Sequence, residues 1–477
     1  MALTPFLVSL YAPTFEGRAR DITIAFTLFC LPQVLFYGIY GILGQITNAR
    51  ERFGPMMWAP STRALAASAS TFTLPVVSLI VRARPLARNG KTPFLKATPS
   101  ATSCSSVRPT AAISGCVPAA VIERLAGESS HAALVVQRDA GVVLEQTHPT
   151  LQKQGVTVCS FDRATREHAA LLTEHFGSLL HDDYDWYTAL GASVRQGGLF
   201  VHVPKGVRAE IPVRMFHWID GAGRLVAPRT VVIVEDDAEV TVIEEMLSET
   251  VEGTSLHAGG VEVFVGANAK LTYAQLQDWG RNVFHYGNVR ARVARDAELQ
   301  WMQIMVGGRM TKANGYYDLN GTGARAFVNG FMFGDARQHF HLHTLQRHLQ
   351  PNCTSDLLIK CCLKDKARSV YQGLIQVAEG AQKTDAYQAN RNLLLSDQAR
   401  ADSIPGLEIL ANDVRCTHGA TLGYLEPEHL YYLMARGLPP VEAQRLIVEA
   451  FFEPVIERIP LETVRERLRG EIERKIG

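Results

Sequence analysis

A short motif that keeps returning constrains this chain more than any other feature. A turn-prone polar residue is followed by Ala, a polar residue, and an apolar run with a period near two. It reads Asp237-Ala238-Glu239-Val240, Asn268-Ala269-Lys270-Leu271 and Asp296-Ala297-Glu298-Leu299. Looser copies stand at Gly323-Ala324-Arg325 before Phe327 and at Lys366-Ala367-Arg368 before Val370. Most intervals are roughly 30 residues, the spacing of a stacked repeat. One copy is too short to bury its own apolar face, so neighbours must cover one another. A doubly wound fold needs an amphipathic crossover helix in each interval, and none is visible. The expected fold is therefore mainly β, a right-handed parallel β-helix core over 197–425. An N-terminal α/β region over 118–196 and a C-terminal helical domain over 426–477 flank it. The repeated Ala marks a corner where a larger side chain would collide with the next rung. An antiparallel sandwich with coincidental turns is the alternative.

The chain is 477 residues long, with 47% hydrophobic and 20% charged residues, enough for about three domains and an ample core. A net charge of +1 gives no electrostatic reason to expect nucleic acid or an anionic membrane as partner. The eight cysteines are scattered, with no CxxC pair, which favours a reducing compartment and a cytoplasmic location.

The first sixty residues read differently. From residue 22 to 49 the apolar segment carries no charge after Asp21 and before Arg50, and is long enough to cross a bilayer. Pro32, Gly38, Gly41 and Gly44 suit a membrane helix packed against others. The stretch from Cys30 to Pro60 resembles one helix and loop of the MurJ/MviN lipid II flippases. One such piece cannot flip lipid, so it reads as a fused remnant, a misplaced start, or an incidental anchor. Residues 61–117 are rich in Ala, Ser, Thr, Pro and Arg without a period, and read as a linker. Gly90-Lys91-Thr92 lacks the upstream glycine and strand of a Walker A site.

Beyond residue 118 the expected elements are helices over 119–125 and 163–176, a hairpin over 132–145, and a helix over 182–190. After Glu426 the apolar period becomes helical, with Pro439-Pro440 and Pro460 as breaks between three helices. Such a tail either caps the solenoid or docks a partner.

Three groups of residues could carry chemistry. His339, His341 and His343 fall on one face of a strand, with His348 nearby. A His-x-His pair on a strand is how cupin barrels hold a metal, so a cupin-type metal enzyme using His339 and His341 is the alternative function. The Glu that a cupin adds is missing, and a plain ladder on the solenoid face is the simpler account. Cys361 and Cys362 are adjacent on a strand and face opposite ways, which favours core packing. In Asp413-Val414-Arg415-Cys416-Thr417-His418-Gly419-Ala420-Thr421, period two places Cys416 and His418 on one face. Thiolate and imidazole together make half a site for iron or zinc, to be completed by another chain.

This last motif, extended from Asn412 to Leu438, resembles the SufD signature of the SufB/SufD family of the SUF iron–sulfur assembly machine. Gly197 to Val207, Gln338 to Lys360, Ala367 to Ile375 and Ala389 to Ser396 add to the resemblance. It covers residue 118 to the C-terminus, not the first hundred or so residues. It implies a non-catalytic scaffold that pairs with a SufB-like paralogue through the β-helix edge. It further implies recruitment of a SufC-like ABC ATPase by the C-terminal helices. His418 would then bind a nascent iron–sulfur cluster shared with the partner, with Cys416 as its companion. SufB-type chains carry a Cys after the Arg-Asn run; here Asn392 is followed by Leu393, Leu394 and Leu395.

Overall fold

The structure, a computed structural model, describes residues 117–125, 132–459 and 462–476. The apolar segment over 22–49, and all but the last residue of the 61–117 stretch, lie outside them.

Two sheets of mostly parallel strands form the body. The first runs β2 (Gly141–Thr147), β1 (Ala133–Arg138), β5 (Val213–Ile219), β8 (Glu239–Ser248), β10 (Lys270–Asp278), β12 (Glu298–Met305), β14 (Arg325–Gly334), β16 (Thr354–Leu363), β18 (Asp385–Leu394), β20 (Arg415–Tyr424). The second runs β3 (Thr157–Ser160), β4 (Leu199–Val203), β7 (Arg229–Val234), β9 (Ser255–Val265), β11 (Val283–Val293), β13 (Met310–Leu319), β15 (His339–His348), β17 (Arg368–Val377), β19 (Arg400–Ile409). Two-residue β6 (Leu225–Val226) pairs with β9. The chain alternates between sheets, so each turn adds one parallel strand to each. That is the expected parallel β-helix, not a sandwich.

In the first sheet Glu239 pairs with Lys270, Lys270 with Glu298, Glu298 with Arg325, Arg325 with Thr354, Thr354 with Asp385, and Asp385 with Arg415. Those steps of 27 to 31 residues are the sequence repeat made physical. The turns explain the motif. Asp237, Asn268, Asp296 and Gly323 adopt positive φ, a conformation open to Asp, Asn and Gly at low cost. The following Ala238, Ala269, Ala297 and Ala324 are all buried in the inter-sheet core. Before Ala367 the positive φ falls one residue earlier, on Asp365.

Helices cover the outer faces unevenly. Helix α1 (Ala119–Leu125) packs Val121 against Phe216, Trp218 and Leu247 of the first sheet. Short α2 (Pro149–Lys153) follows the β1–β2 hairpin, which is antiparallel as expected. The single helix expected over 163–176 is two, α3 (Phe161–Glu167) and α4 (Ala169–His175). His168 breaks it, at φ −128°, with its ring stacked on Phe200 at 5.6 Å. The helix expected over 182–190 is α5 (Trp186–Ser193), because Asp185 caps it by accepting from the Thr188 amide at 2.7 Å.

At the C-terminus stand α6 (Pro427–Ala435), α7 (Pro440–Ile456) and α8 (Glu462–Ile476). Val448, Phe452 and Val455 of α7, with Val464, Leu468 and Ile472 of α8, pack on Ile304, Phe331, Phe333 and Cys362. The α7–α8 pair therefore lies flat on the outer face of the first sheet and leaves the last rung uncapped. Buried Lys475 pins α8 there, donating to the carbonyls of Phe333 at 2.6 Å and Val306 at 2.8 Å.

Candidate functional site

The last rung is where the solenoid stops without a lid. Among the described residues β20 pairs only with β18, and β19 only with β17, so each sheet ends there in a free edge. Cys416, His418, Ala420, Leu422 and Tyr424 are in register with Ala386, Gln388, Asn390, Asn392 and Leu394. That set of β18 positions is buried, which makes it the inward face. The same alternation in β20 meets no further rung, and eight of its ten residues are exposed.

The two motif residues differ in setting. Cys416 is half-buried and packs beside Ile375, Val377, Ala386 and Ala411. Burial, with Asp385 adding to it, pushes its thiol above the ordinary range. His418 is exposed. The structure thus brings the pair to one face at the open end, as period two predicts. Among the described residues, no three His, Cys, Asp or Glu side chains are grouped to hold a metal ion. What this chain presents is two donors at a rim.

Behind His418 lies Gln388, its register partner, fully buried, with both amide atoms lacking a partner. The hydroxyl of Ser403 on β19 is likewise sealed from solvent and unpartnered. Apolar groups crowd the rim: Ile404 and Leu422 are each 56% exposed and Tyr424 55%. Helix α6 buries none of its residues and exposes Tyr431 and Tyr432. Sequence reading passes over these residues. The available signal was the polar run Gln388, Asn390 and Asn392 at inward positions of a strand, where the period calls for apolar side chains.

The histidine ladder sits elsewhere. His339, His341 and His343 lie half-buried on the outer face of β15, alternating with buried Phe340, Leu342 and Thr344. Burial, helped by Lys312, pushes His341 and His343 down to about 4; His339 is lowered too, by burial and Arg368. His343 Nδ1 is 2.9 Å from the Tyr316 hydroxyl, which in turn accepts from Tyr184 at 2.8 Å. The cupin reading fails on architecture. Cupins are antiparallel jelly rolls, whereas β15 pairs in parallel with β13 and β17. Lys312 and Arg368 beside the imidazoles also oppose a cation. His348 points the other way, into the core, 2.8 Å from Ser355 Oγ.

Cys361 and Cys362 are both fully buried, one in the inter-sheet core and one beneath α7 and α8. Burial pushes the Cys361 thiol up to about 12 and raises Cys362 as well. Both are packing residues.

Residues 217–451 match the family model for the SUF system FeS cluster assembly SufBD core domain, and residues 129–215 the SufBD protein N-terminal region. Residues 1–79 match the model for the lipid II flippase MurJ. The chain is 31% identical over 352 residues to the iron–sulfur cluster assembly protein SufD of Bacillus subtilis, covering 73% of this chain and 80% of that one. It is 28% identical over 364 residues to SufB of the same organism, covering 76% and 77%. An iron–sulfur cluster assembly SufBD family protein of Pyrococcus horikoshii is 32% identical over 337 residues, covering 70% and 75%.

Proposed function

This chain belongs to the SufBD family of iron–sulfur cluster assembly proteins, and we propose that it is a SufD-type scaffold whose open last rung meets a SufB-like subunit. The uncapped rung carries the reading. Two free strand edges, a fringe of exposed apolar side chains and a rim-exposed His418 occur together at one end of the solenoid. Free edges of this kind are templates for pairing with another chain. The absence of a Cys after Asn392 supports the SufD over the SufB assignment.

Iron and sulfide are cargo here. His418 supplies an imidazole nitrogen and Cys416 a thiolate, and the partner subunit supplies the remaining donors of a transient cluster. The scaffold turns over no substrate itself. ATP hydrolysis falls to a SufC-like ATPase, which docks on the C-terminal helices. Exposed α6 is the free docking surface, while α7 and α8 transmit load into the first sheet through Lys475 and through Arg467, which pairs with buried Glu245. Movement of the tails on ATP binding would shift the seam and admit iron and sulfide. The site of action is the cytoplasm. Among the described residues no helix is long and apolar enough to cross a membrane, and the apolar segment over 22–49 lies outside them.

The test is His418→Ala in the chain co-expressed with its SufB-like and SufC-like partners. The complex is expected to assemble while cluster content falls by about tenfold or more. Unchanged cluster content in an intact complex would overturn the assignment.

A further inference from the structure

An amide buried with both of its ends unbonded is costly, because each orphaned group loses its water without a replacement partner. Gln388 is such an amide. It is fully buried, neither Nε2 nor Oε1 has a partner, and it occupies the last covered rung, directly beneath the open one. A leucine there would fill the space at no such cost. Its register partner is His418, on the same inward face and one strand spacing away, about 4.8 Å between backbones.

The space around the amide is prepared for it. Across the core stands Gly373 of β17, where a Cβ would come within 2.6 Å of Gln388 Oε1. The nearby Tyr371 hydroxyl is engaged 2.9 Å from Thr344 Oγ1 and does not serve the amide. Among the described residues nothing satisfies Gln388, and the next polar ring along the stack is the imidazole of His418.

We propose that Gln388 is the positioning residue for His418: its carbonyl oxygen accepts the Nδ1 proton when a partner closes the last rung, leaving Nε2 free to face iron. The inference rests on the cluster-binding reading of His418. A ligating histidine whose other nitrogen donates to an acceptor is fixed in one tautomer and is more basic at the metal. Gln388 would touch neither iron nor sulfide; it would act through the ring.

The experiment uses the full complex with Gln388→Leu, Gln388→Glu and His418→Ala. Gln388→Leu fills the site with an apolar branched side chain and removes the acceptor; Gln388→Glu keeps an acceptor and strengthens it. The readouts are cluster content, the electron paramagnetic resonance signal of the reduced cluster, and its midpoint potential. Gln388→Leu is expected to fold and assemble, with cluster content down by about tenfold and an altered resonance signal. Gln388→Glu is expected to retain most of the cluster and to lower its potential, because a more basic imidazole favours the oxidised iron. A role in packing alone would move none of the spectroscopic readouts. If His418→Ala loses the cluster while Gln388→Leu keeps its wild-type content, signal and potential, the inference is overturned and the functional reading stands. If His418→Ala keeps the cluster, the functional reading falls and takes this inference with it.

Discussion

Two buried carboxylates toward the N-terminal end of the solenoid and one buried amide at its C-terminal end are treated in opposite ways. At the N-terminal end the chain closes on itself. Antiparallel β2 and β3 flank the parallel stack, and α3 and α4 cover Phe200, Val231 and Phe264. There the buried carboxylate of Glu262 accepts from the amides of Gly177, Leu179 and Leu180 at 2.9–3.0 Å and from Arg229 at 3.0 Å. Glu244 is similarly surrounded by His217, Tyr273 and Gln275, and its carboxyl is held below the usual range by those partners against the opposing effect of burial. At the C-terminal end Gln388 and Ser403 have no partners and the rim is apolar. The same physics governs both ends. Glu262 and Glu244 are satisfied by groups this chain supplies, whereas Gln388 and Ser403 are left without partners at the open rung.

The comparison breaks first at Glu262. Replacing it by Leu leaves the buried Arg229 guanidinium with the Leu180 carbonyl but without its buried carboxylate partner, and strands three backbone amides, so a loss of about 3–5 kcal/mol is expected in urea unfolding. A loss below about 1 kcal/mol would mean the closed end is no more self-sufficient than the open one.

His348 lies between the ends, and it gives the interior a pH signature. Burial holds its imidazole down to about 4, against an ordinary value near 6.5. Between those values the unfolded chain binds a proton that the folded chain refuses. Stability is therefore present above pH 6.5 and is lost as pH falls toward 4. The full window is worth about 3 kcal/mol. His348→Gln keeps a hydrogen-bonding group near Ser355 and removes the titration. The gap in stability between wild type and variant should shift by that amount, in the variant's favour, from pH 7 to pH 4. Parallel stability curves would show that water already reaches His348.

What was legible in the sequence follows from how local each constraint is. The turn–Ala repeat is local: positive φ selects Asp, Asn or Gly, and the rung above selects Ala, so stacked rungs could be read from Asp237 to Ala367. The pairing of Cys416 with His418 on one face needed only period two. The break at His168 was not legible, because a contact with Phe200, 32 residues onward, decides it. Nor was the open end. Leu407 and Ile409 follow the alternation of a buried strand, in register with buried Ile375 and Val377, and only the absence of a next rung exposes them. Gln388 was invisible for a related reason, since an unsatisfied amide is defined by the groups that three-dimensional register fails to bring near.

The smallest expected effect on folding, and the sharpest on assembly, is at the rim itself. Leu422 is more than half exposed, on a strand whose outer edge pairs with nothing among the described residues. Leu422→Asp removes little buried apolar area from the isolated chain, so its unfolding midpoint should stay near wild type. In the pair, the carboxylate would be driven into an apolar seam with no counter-charge of its own. Truncation or charge at the centre of such a seam typically costs at least about 2 kcal/mol, a loss of roughly 30-fold in affinity. Affinity for the SufB-like subunit, measured by titration calorimetry on the intact proteins, reports the difference. Retained affinity with an unchanged midpoint would show that the open rung is simply the end of the stack, and the contrast between the two ends would then lose its functional meaning.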